Sequence, residues 1–566
     1  MRRLLLILML LQVCTQGFTQ KFDARRLENE VKQTSQKALA SAVLIKPYDT
    51  LSKRVLSGMF SGVVVDAAGY ILSAAHAVRP DRIYQIYFPN GKTFIAKGLG
   101  RIPANDAAIL KIIEKGVWPF AEMGWSGSLK KYEPCISIAY PGSLPQLKPT
   151  LRFGYVVDRN AKNGFIQTTC LMEPGDSGGP VFDLKGRVIG LHSQIELGLD
   201  GNFEIAVDLY RKYWKALTVA KSYSELPPAD SLLSSDPLVN QLNSISGLEN
   251  INENFSKLES VLERSSFTVK SQLEGKESTV LGTLFNAAPF ADKKMTTDKS
   301  FLISKSSMVG ESPLVVIKAD KVIAARVIKR DDANDLVLLE INGKMKNGVD
   351  LNVRKDSIGF NEIGKFLISP HPDNSGQIGV LGNAGVNIKN VPNSGFLGVT
   401  TELKDGLIVL TTLQRRSPAS LAMLRVGDQL LSVNGKAIND PEDLVNEIQK
   451  FKPEQKVKLQ IKRGEEEFTK DIKLASRLNV RTHIADQFTD GKSERRFGFD
   501  RVFVHDSKLK PTECGGPVFD MEGMFYGINI ARFSRTSSIA VPAKTVADFV
   551  KSSLKTGEDK SQVTKL

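Results

Sequence analysis

One phrase is written twice in this chain: GDSGGPVFD at 175–183 and TECGGPVFD at 512–520. The likeness extends along the chain in the same order, so a duplicated folding unit is the strongest constraint on architecture. GYILSAAHAV (69–78) aligns with SFLISKSSMV (300–309), and RIPANDAAILKI (101–112) with RDDANDLVLLEI (330–341). FEIAVDLYRKYW (203–214) and SSIAVPAKTVADF (537–549) both read as a last strand running into a closing helix. His76 maps to Ser307 at a shift of 231 and Asp106 to Asp335 at 229, but Ser177 maps to Cys514 at 337. About 108 residues have therefore been added between the second and third landmarks of the second copy.

Within each copy, short alternating apolar runs are separated by Gly, Pro and Asn/Asp turns, the pattern of all-β barrels rather than of α/β layers. The added segment, 394–474, has β-type runs around one helix-like stretch at 441–450. Its GFLGV (395–399), SPASLAMLRVGDQLLSVNGKAI (417–438) and closing KVKLQIKRG (456–464) resemble a PDZ domain, although Arg416 and Met423 stand where bacterial PDZ domains often have Gly. The resemblance implies that Gly395, Phe396, Leu397, Gly398 and Val399 border a groove for an extended C-terminal peptide. A purely structural insert is the other reading.

Serine-based peptide hydrolysis needs a hydroxyl nucleophile, a base that takes its proton, and an acid that holds the base in one tautomer. It also needs backbone donors aimed at the developing oxyanion, which tight glycine turns supply. GDSGGP meets the last need, with the N–H groups of Gly175 and Ser177 as the expected oxyanion hole, and His76, Asp106 and Ser177 meet the first three. Their order resembles that of trypsin-like proteases with two six-stranded barrels. More narrowly, SGVVVDAAGYILSAAHAV (61–78), NDAAILKI (105–112), EPGDSGG (173–179), GRVIGLHS (186–193) and a following PDZ domain resemble the HtrA/DegP group of exported serine proteases. With only five histidines in the chain, a matching one in three ordered motifs argues against coincidence.

His192 lies 15 residues after Ser177, in the strand that lines the primary specificity pocket in this superfamily. Resemblance to glutamate-specific bacterial proteases, with histidine in a similar GIH context, implies a pocket that welcomes acidic side chains. The alternative is a packed strand residue, and Met172, where those enzymes prefer a small hydroxyl residue, favours it.

The second copy carries Ser307, Asp335 and Cys514 at the landmarks, with Thr512 opposite Gly175. A thiol needs a base or a positive field to react, and Ser307 supplies neither. A β-branched residue resists the torsions that oxyanion-hole glycines adopt. Neither His371 nor His505 is at a matched position, so the second copy is expected to be catalytically dead.

The chain of 566 residues exceeds what one core supports. Its net charge of +14 is interleaved along the chain as a solvated surface, which argues against nucleic acid. Arg2 and Arg3 precede an apolar run, 4–11, in the layout of a secretory signal, and no later stretch is long and apolar enough to span a bilayer. Cys14 as a lipid anchor and an uncleaved tether are the minority readings. Four cysteines are too few for a disulfide scaffold, and Cys135 and Cys170 read as buried thiols, with a pairing left open.

The expectation is thus an all-β chain: signal 1–20, catalytic double barrel 21–219, linker with an amphipathic helix 220–265, degenerate double barrel 266–392 and 476–555, PDZ domain 393–475, and polar tail 556–566. It predicts an exported, periplasmic or secreted, serine endopeptidase acting on unfolded or partly folded protein, with no metal and no cofactor. A homo-oligomer stays open. The rival is a non-proteolytic peptide-binding scaffold built on protease-like domains.

Overall fold

The computed structural model describes residues 23–554 apart from 145–146, 231–234, 242–243, 246, 255–261, 291–297, 319–320, 374, 391–393, 405 and 477–482. The signal segment with Cys14, part of the linker helix and the tail 556–566 therefore lie outside the described residues. Among those described, no helix is long and apolar enough to cross a membrane.

The chain is mostly β, as the alternating pattern requires. In the first copy, seven strands from Ala42–Asp49 to Ala107–Ile112 form an antiparallel sheet, six of them closed into a barrel by pairing of Ala42–Asp49 with Ile83–Tyr87 and the short Arg54–Val55 added beside Ala42–Asp49. Strands Pro134–Ala139, Thr150–Asp158, Ile166–Thr168, Pro180–Asp183, Val188–Ile195 and Asn202–Ala206 make a second, closed barrel. The second copy repeats both: a closed barrel from Ser266–Leu273 to Leu336–Asn342, and another from Phe366–Ser369 to Ser538–Pro542.

The insertion point is visible in the pairing. Thr150–Asp158 pairs with Ile166–Thr168 across a short connection, 159–165. Its counterpart Gln377–Ile388 pairs with Phe499–His505, and the extra residues run between those two strands. Residues Lys389–Phe488 form their own compact unit. That unit has a sheet with Val399–Lys404 at one edge and Glu466–Lys473 at the other, helices Pro418–Leu421 and Pro441–Ile448, and a core including Leu397, Ile408, Leu430, Leu444, Val457 and Ile461.

The two barrel pairs share one hydrophobic core, which joins Ile136, Leu151 and Phe182 of the first to Phe366, Ile368, Leu381 and Val518 of the second. Strand Thr150–Asp158 meets its own counterpart there: Phe153 packs edge-on against Phe366 at 5.3 Å, and a Cβ on Gly382 would lie 2.5 Å from Leu151 O. Helix Ala24–Ala38 serves both pairs, since Thr34 Oγ1 donates to Leu184 O (2.8 Å) while Glu28 accepts from Phe366 N (2.7 Å). The segment between the copies is also packed: Asp236 is held by Arg187 at 2.9 Å, Leu248 is buried, and Asn252 Oδ1 accepts from Ile378 N at 3.1 Å. Its described helical parts include the turns Val239–Gln241, Leu248–Asn250 and Glu263–Ser265 and the helix Ile251–Asn254.

Candidate active site

Strand Tyr70–Ala74 ends two residues before His76, and a short 3₁₀ turn, Pro103–Asn105, ends at Asp106 in the left-handed region (φ 57°). That conformation, which Asp tolerates better than most residues, turns the chain into strand Ala107–Ile112. Two backbone bonds lock the aspartate onto the histidine segment: Ala75 N donates to Asp106 O (2.7 Å), and His76 N to Asp106 Oδ1 (2.8 Å). The His76 ring then reaches Asp106 Oδ2 through Nδ1 at 2.9 Å. With Nδ1 carrying the proton, Nε2 keeps its lone pair, the tautomer a general base requires. Ser193 Oγ donates to the same Oδ2 at 2.6 Å. Burial opposes charge on Asp106, but the hydrogen bonds and the charge of His76, with Ser193, hold the carboxyl below its ordinary range.

The turn carrying Ser177 is built against those strands. Ser61 N donates to Ser177 O (2.9 Å), and Gly178 N to His192 O (2.7 Å). Gly178 has φ +77°, and a Cβ there would lie 2.1 Å from Ser73 Oγ and 2.8 Å from Ala74 N, so only glycine lets Ser177 come this close to the histidine strand. Gly175 has φ +101°, with Gly142 N 2.5 Å from where a Cβ would be. The Pro174 carbonyl accepts from Gly142 N at 2.7 Å. A trans peptide points its N–H opposite to its carbonyl, so the Gly175 N–H faces away from Gly142. Among the described residues no hydrogen bond engages the N–H of Gly175 or Ser177, or joins Ser177 Oγ to His76.

Asp176 between them is wholly buried and paired with buried Arg152, whose Nη1 is 2.9 Å from Oδ2. Burial pushes the Asp176 carboxyl up to about 6, against the pull of Arg152. Arg152 also donates to Leu171 O (3.1 Å). Sequence reasoning passed over Arg152 and Ser193; the only signal for Arg152 was a cation inside the apolar strand TLRFGYVVD.

His192 is fully buried. Its Nε2 shares a hydrogen bond with Ser137 Oγ, and its Nδ1 is 3.5 Å from Glu204 Oε1. Burial, with Arg152 nearby, drives its pKa well down, and burial drives that of Glu204 well up. A neutral histidine beside an internal carboxyl gives an acidic side chain no cation to pair with. Cys135 and Cys170 are free buried thiols with sulfurs 3.8 Å apart.

In the second copy Asp335 has the same frame, with φ 56°, Ser306 N on its carbonyl (2.7 Å) and Ser307 N on Oδ1 (2.7 Å). No imidazole meets it. Lys305 Nζ sits 2.6 Å from Asp335 Oδ2, with both groups buried, and also donates to Ile530 O (2.7 Å) and Arg495 O (3.0 Å). Lys305 stands opposite Ala74 in the repeat, a lysine in an apolar strand that could have signalled this exchange. Cys514 is buried, 3.7 Å from Ser493 Oγ; burial raises its thiol pKa although Lys305 opposes the rise. Thr512 lies in a 3₁₀ turn, Pro511–Glu513, and the amide of Cys514 is taken by Pro511 O (3.3 Å). His505 bonds Asn529 and Ser507, and His371 lies near Asp373 and Glu513.

In the Lys389–Phe488 unit, Leu397 and Gly398 precede the edge strand, with Leu397 O held by Ala419 N (3.0 Å) and Gly398 at φ +83°. Gly395 and Phe396 pair with Ala475–Ser476, and Val399 begins the edge. Among the described residues, no group of three or more metal-ligating side chains converges.

Residues 60–191 match the trypsin-like peptidase domain family, and residues 395–474 the PDZ domain family. A protein of Ectopseudomonas mendocina named "Probable periplasmic serine endoprotease DegP-like" is 33% identical over 147 residues, 25% of this chain and 31% of that protein. Serine protease HTRA1 of Xenopus tropicalis is 29% identical over 211 residues, 35% of this chain and 45% of that protein. The chain thus spans less than half the length of these relatives. A solved serine endoprotease from Yersinia pestis aligns over 79% of this chain and 97% of its own at 14% identity, with a TM-score of 0.29, too loose a likeness to bear on the site. The chain carries a trypsin-like peptidase domain and a PDZ domain, and its peptidase domain is similar to DegP-like and HtrA-type serine proteases.

Proposed function

We propose that this chain is an exported serine endopeptidase that cuts unfolded or partly folded proteins through an acyl-enzyme formed on Ser177. The carrying observation is a His76–Asp106 pair beside the Ser177 turn, whose Gly175 and Ser177 amides are unengaged among the described residues. His76 Nε2 takes the Ser177 proton as Oγ attacks the peptide carbonyl, then returns it to the leaving amine. Asp106 holds the ring and stabilises its charge, and the two amides take the oxyanion. The Ser177–His76 bond forms as substrate seats, since catalytic contacts are often longer without it.

The second barrel pair is catalytically silent in this reading, because Lys305 has taken the carboxylate that a base would need. The open edge at Val399–Lys404 supports strand addition of a peptide C-terminus, which delivers substrate or regulates cleavage. Export rests on the N-terminal charge and apolar pattern. A fluorophosphonate probe on purified protein tests the centre: labelling that maps to Ser177 and disappears in Ser177→Ala is expected. Failure to label folded protein would favour a peptide-binding scaffold instead.

A further inference from the structure

The nucleophile turn is held from outside its own barrel pair. Glu173, two residues before Gly175, is buried, and its carboxylate accepts from Ser143 N (3.2 Å) on one oxygen and from Thr536 Oγ1 (3.0 Å) on the other. Ser143 follows Gly142, the residue whose N–H grips the Pro174 carbonyl and so aims the Gly175 N–H. Glu173 N donates to Asp176 Oδ2 (2.9 Å), and Asp176 N to Glu173 O (3.0 Å). The Glu173 carboxylate is therefore a junction between the oxyanion peptide, the 142–143 turn and the second barrel pair.

Thr536 has a buried neighbour that acts in parallel. Arg535 donates through Nη2 to Gly198 O (2.6 Å) and lies 3.3 Å from Asn202 Oδ1, which also accepts from Met172 N (3.3 Å). Both residues sit in the connection between Phe525–Arg532 and Ser538–Pro542, the repeat counterpart of the connection between Val188–Ile195 and Asn202–Ala206 that Arg535 grips. A third tie runs to the Arg152 strand, where Asp506 accepts from Phe153 N (2.8 Å) and Val380 N (2.6 Å).

We infer that Thr536 and Arg535 are positioning residues for the oxyanion hole of the first barrel pair, which makes the second pair a built-in support for catalysis. The inference rests on the proteolytic reading above. Hydrogen bonds to a buried carboxylate are strong and costly to leave unmade, so without the Thr536 hydroxyl Glu173 reorganises. The Gly175 amide follows it, and small displacements of an oxyanion donor are felt mainly in the chemical step.

The test compares Thr536→Val, which keeps the shape and loses the hydroxyl, with Thr536→Ser, which keeps the hydroxyl. Fluorophosphonate acylation of Ser177 and steady-state cleavage of a fluorogenic peptide are read together with thermal melting. Thr536→Val is expected to slow acylation and lower kcat about tenfold or more with KM within about twofold, while Thr536→Ser stays within about twofold of the parent. Arg535→Met is expected to move kcat the same way, which keeps the test decisive should Thr536→Val fold poorly. Parent-like acylation and kcat in both Thr536→Val and Arg535→Met would overturn the inference and leave the protease intact. A folded parent that does not label at all would overturn the proteolytic reading and this inference with it.

Discussion

The turn carrying Ser177 and the turn carrying Cys514 lead through the same glycine pair into equivalent strands, Pro180–Asp183 and Pro517–Asp520, yet the amides of those two residues differ. Among the described residues, the N–H groups of Gly175 and Ser177 in the first have no partner; in the second, a 3₁₀ turn through Thr512 engages the Cys514 amide with Pro511 O. The aspartates show the same divergence within one frame, with Asp106 facing an imidazole at 2.9 Å and Asp335 a buried ammonium at 2.6 Å. The two barrel pairs thus keep one backbone frame at the aspartates, with φ 57° at Asp106 and 56° at Asp335, and differ in the side chains that meet the carboxylate and in the turn before the glycine pair.

The comparison is broken most directly at the nucleophiles. Ser177→Ala is expected to lower hydrolysis of an unfolded protein by about 10⁵-fold or more, whereas Cys514→Ala stays within about twofold. Residual cleavage in Ser177→Ala that Cys514→Ala removes would sink the assignment. One step smaller, Asp106→Asn should cost about 10⁴-fold in kcat by losing the tautomer, with Asp335→Asn leaving kcat alone. The same frame then predicts a stability effect on the other side. Lys305→Met leaves Asp335 buried without its cation and should cost about 3–5 kcal/mol in denaturant unfolding. A loss under about 1 kcal/mol would show the pair to be dispensable.

His505 sharpens the comparison through pH. Burial depresses its pKa to about 3. The folded state keeps it neutral while the unfolded chain binds a proton below about 6.5, so its contribution is complete above about pH 6.5 and is lost as pH falls toward 3. Melting of His505→Gln should therefore show a weaker decline over that window than melting of the parent, and an identical decline would refute the assignment. The smallest effect is a predicted absence. Ser307→His combined with Cys514→Ser should stay unlabelled by fluorophosphonate, because the Pro511–Glu513 turn and Lys305 still occupy the amide and the carboxylate.

The candidate site was legible where it depends on short motifs. His76, Asp106 and Ser177 each sit in a local phrase whose turn or strand is set by adjacent residues, and the repeat exposed their counterparts. Pairings between distant residues were not legible. Arg152 reaches Asp176 across 24 positions, Lys305 reaches Asp335 across 30, and Thr536 reaches Glu173 across 363. His192 shows the limit in another way: its GLH context suggested an acid-binding pocket, but only the fold places Glu204 beside the ring.

By itself, the sequence determined the internal repeat, the place of the added segment, the all-β class and the order of the His76, Asp106 and Ser177 landmarks, because periodicity and turn residues act over a few neighbours. Tertiary structure decided what each carboxylate pairs with and which amides stay unengaged. Those outcomes depend on burial, where a charge must find a partner at about 3 Å, and the partner comes from whichever strand the packed barrels bring alongside.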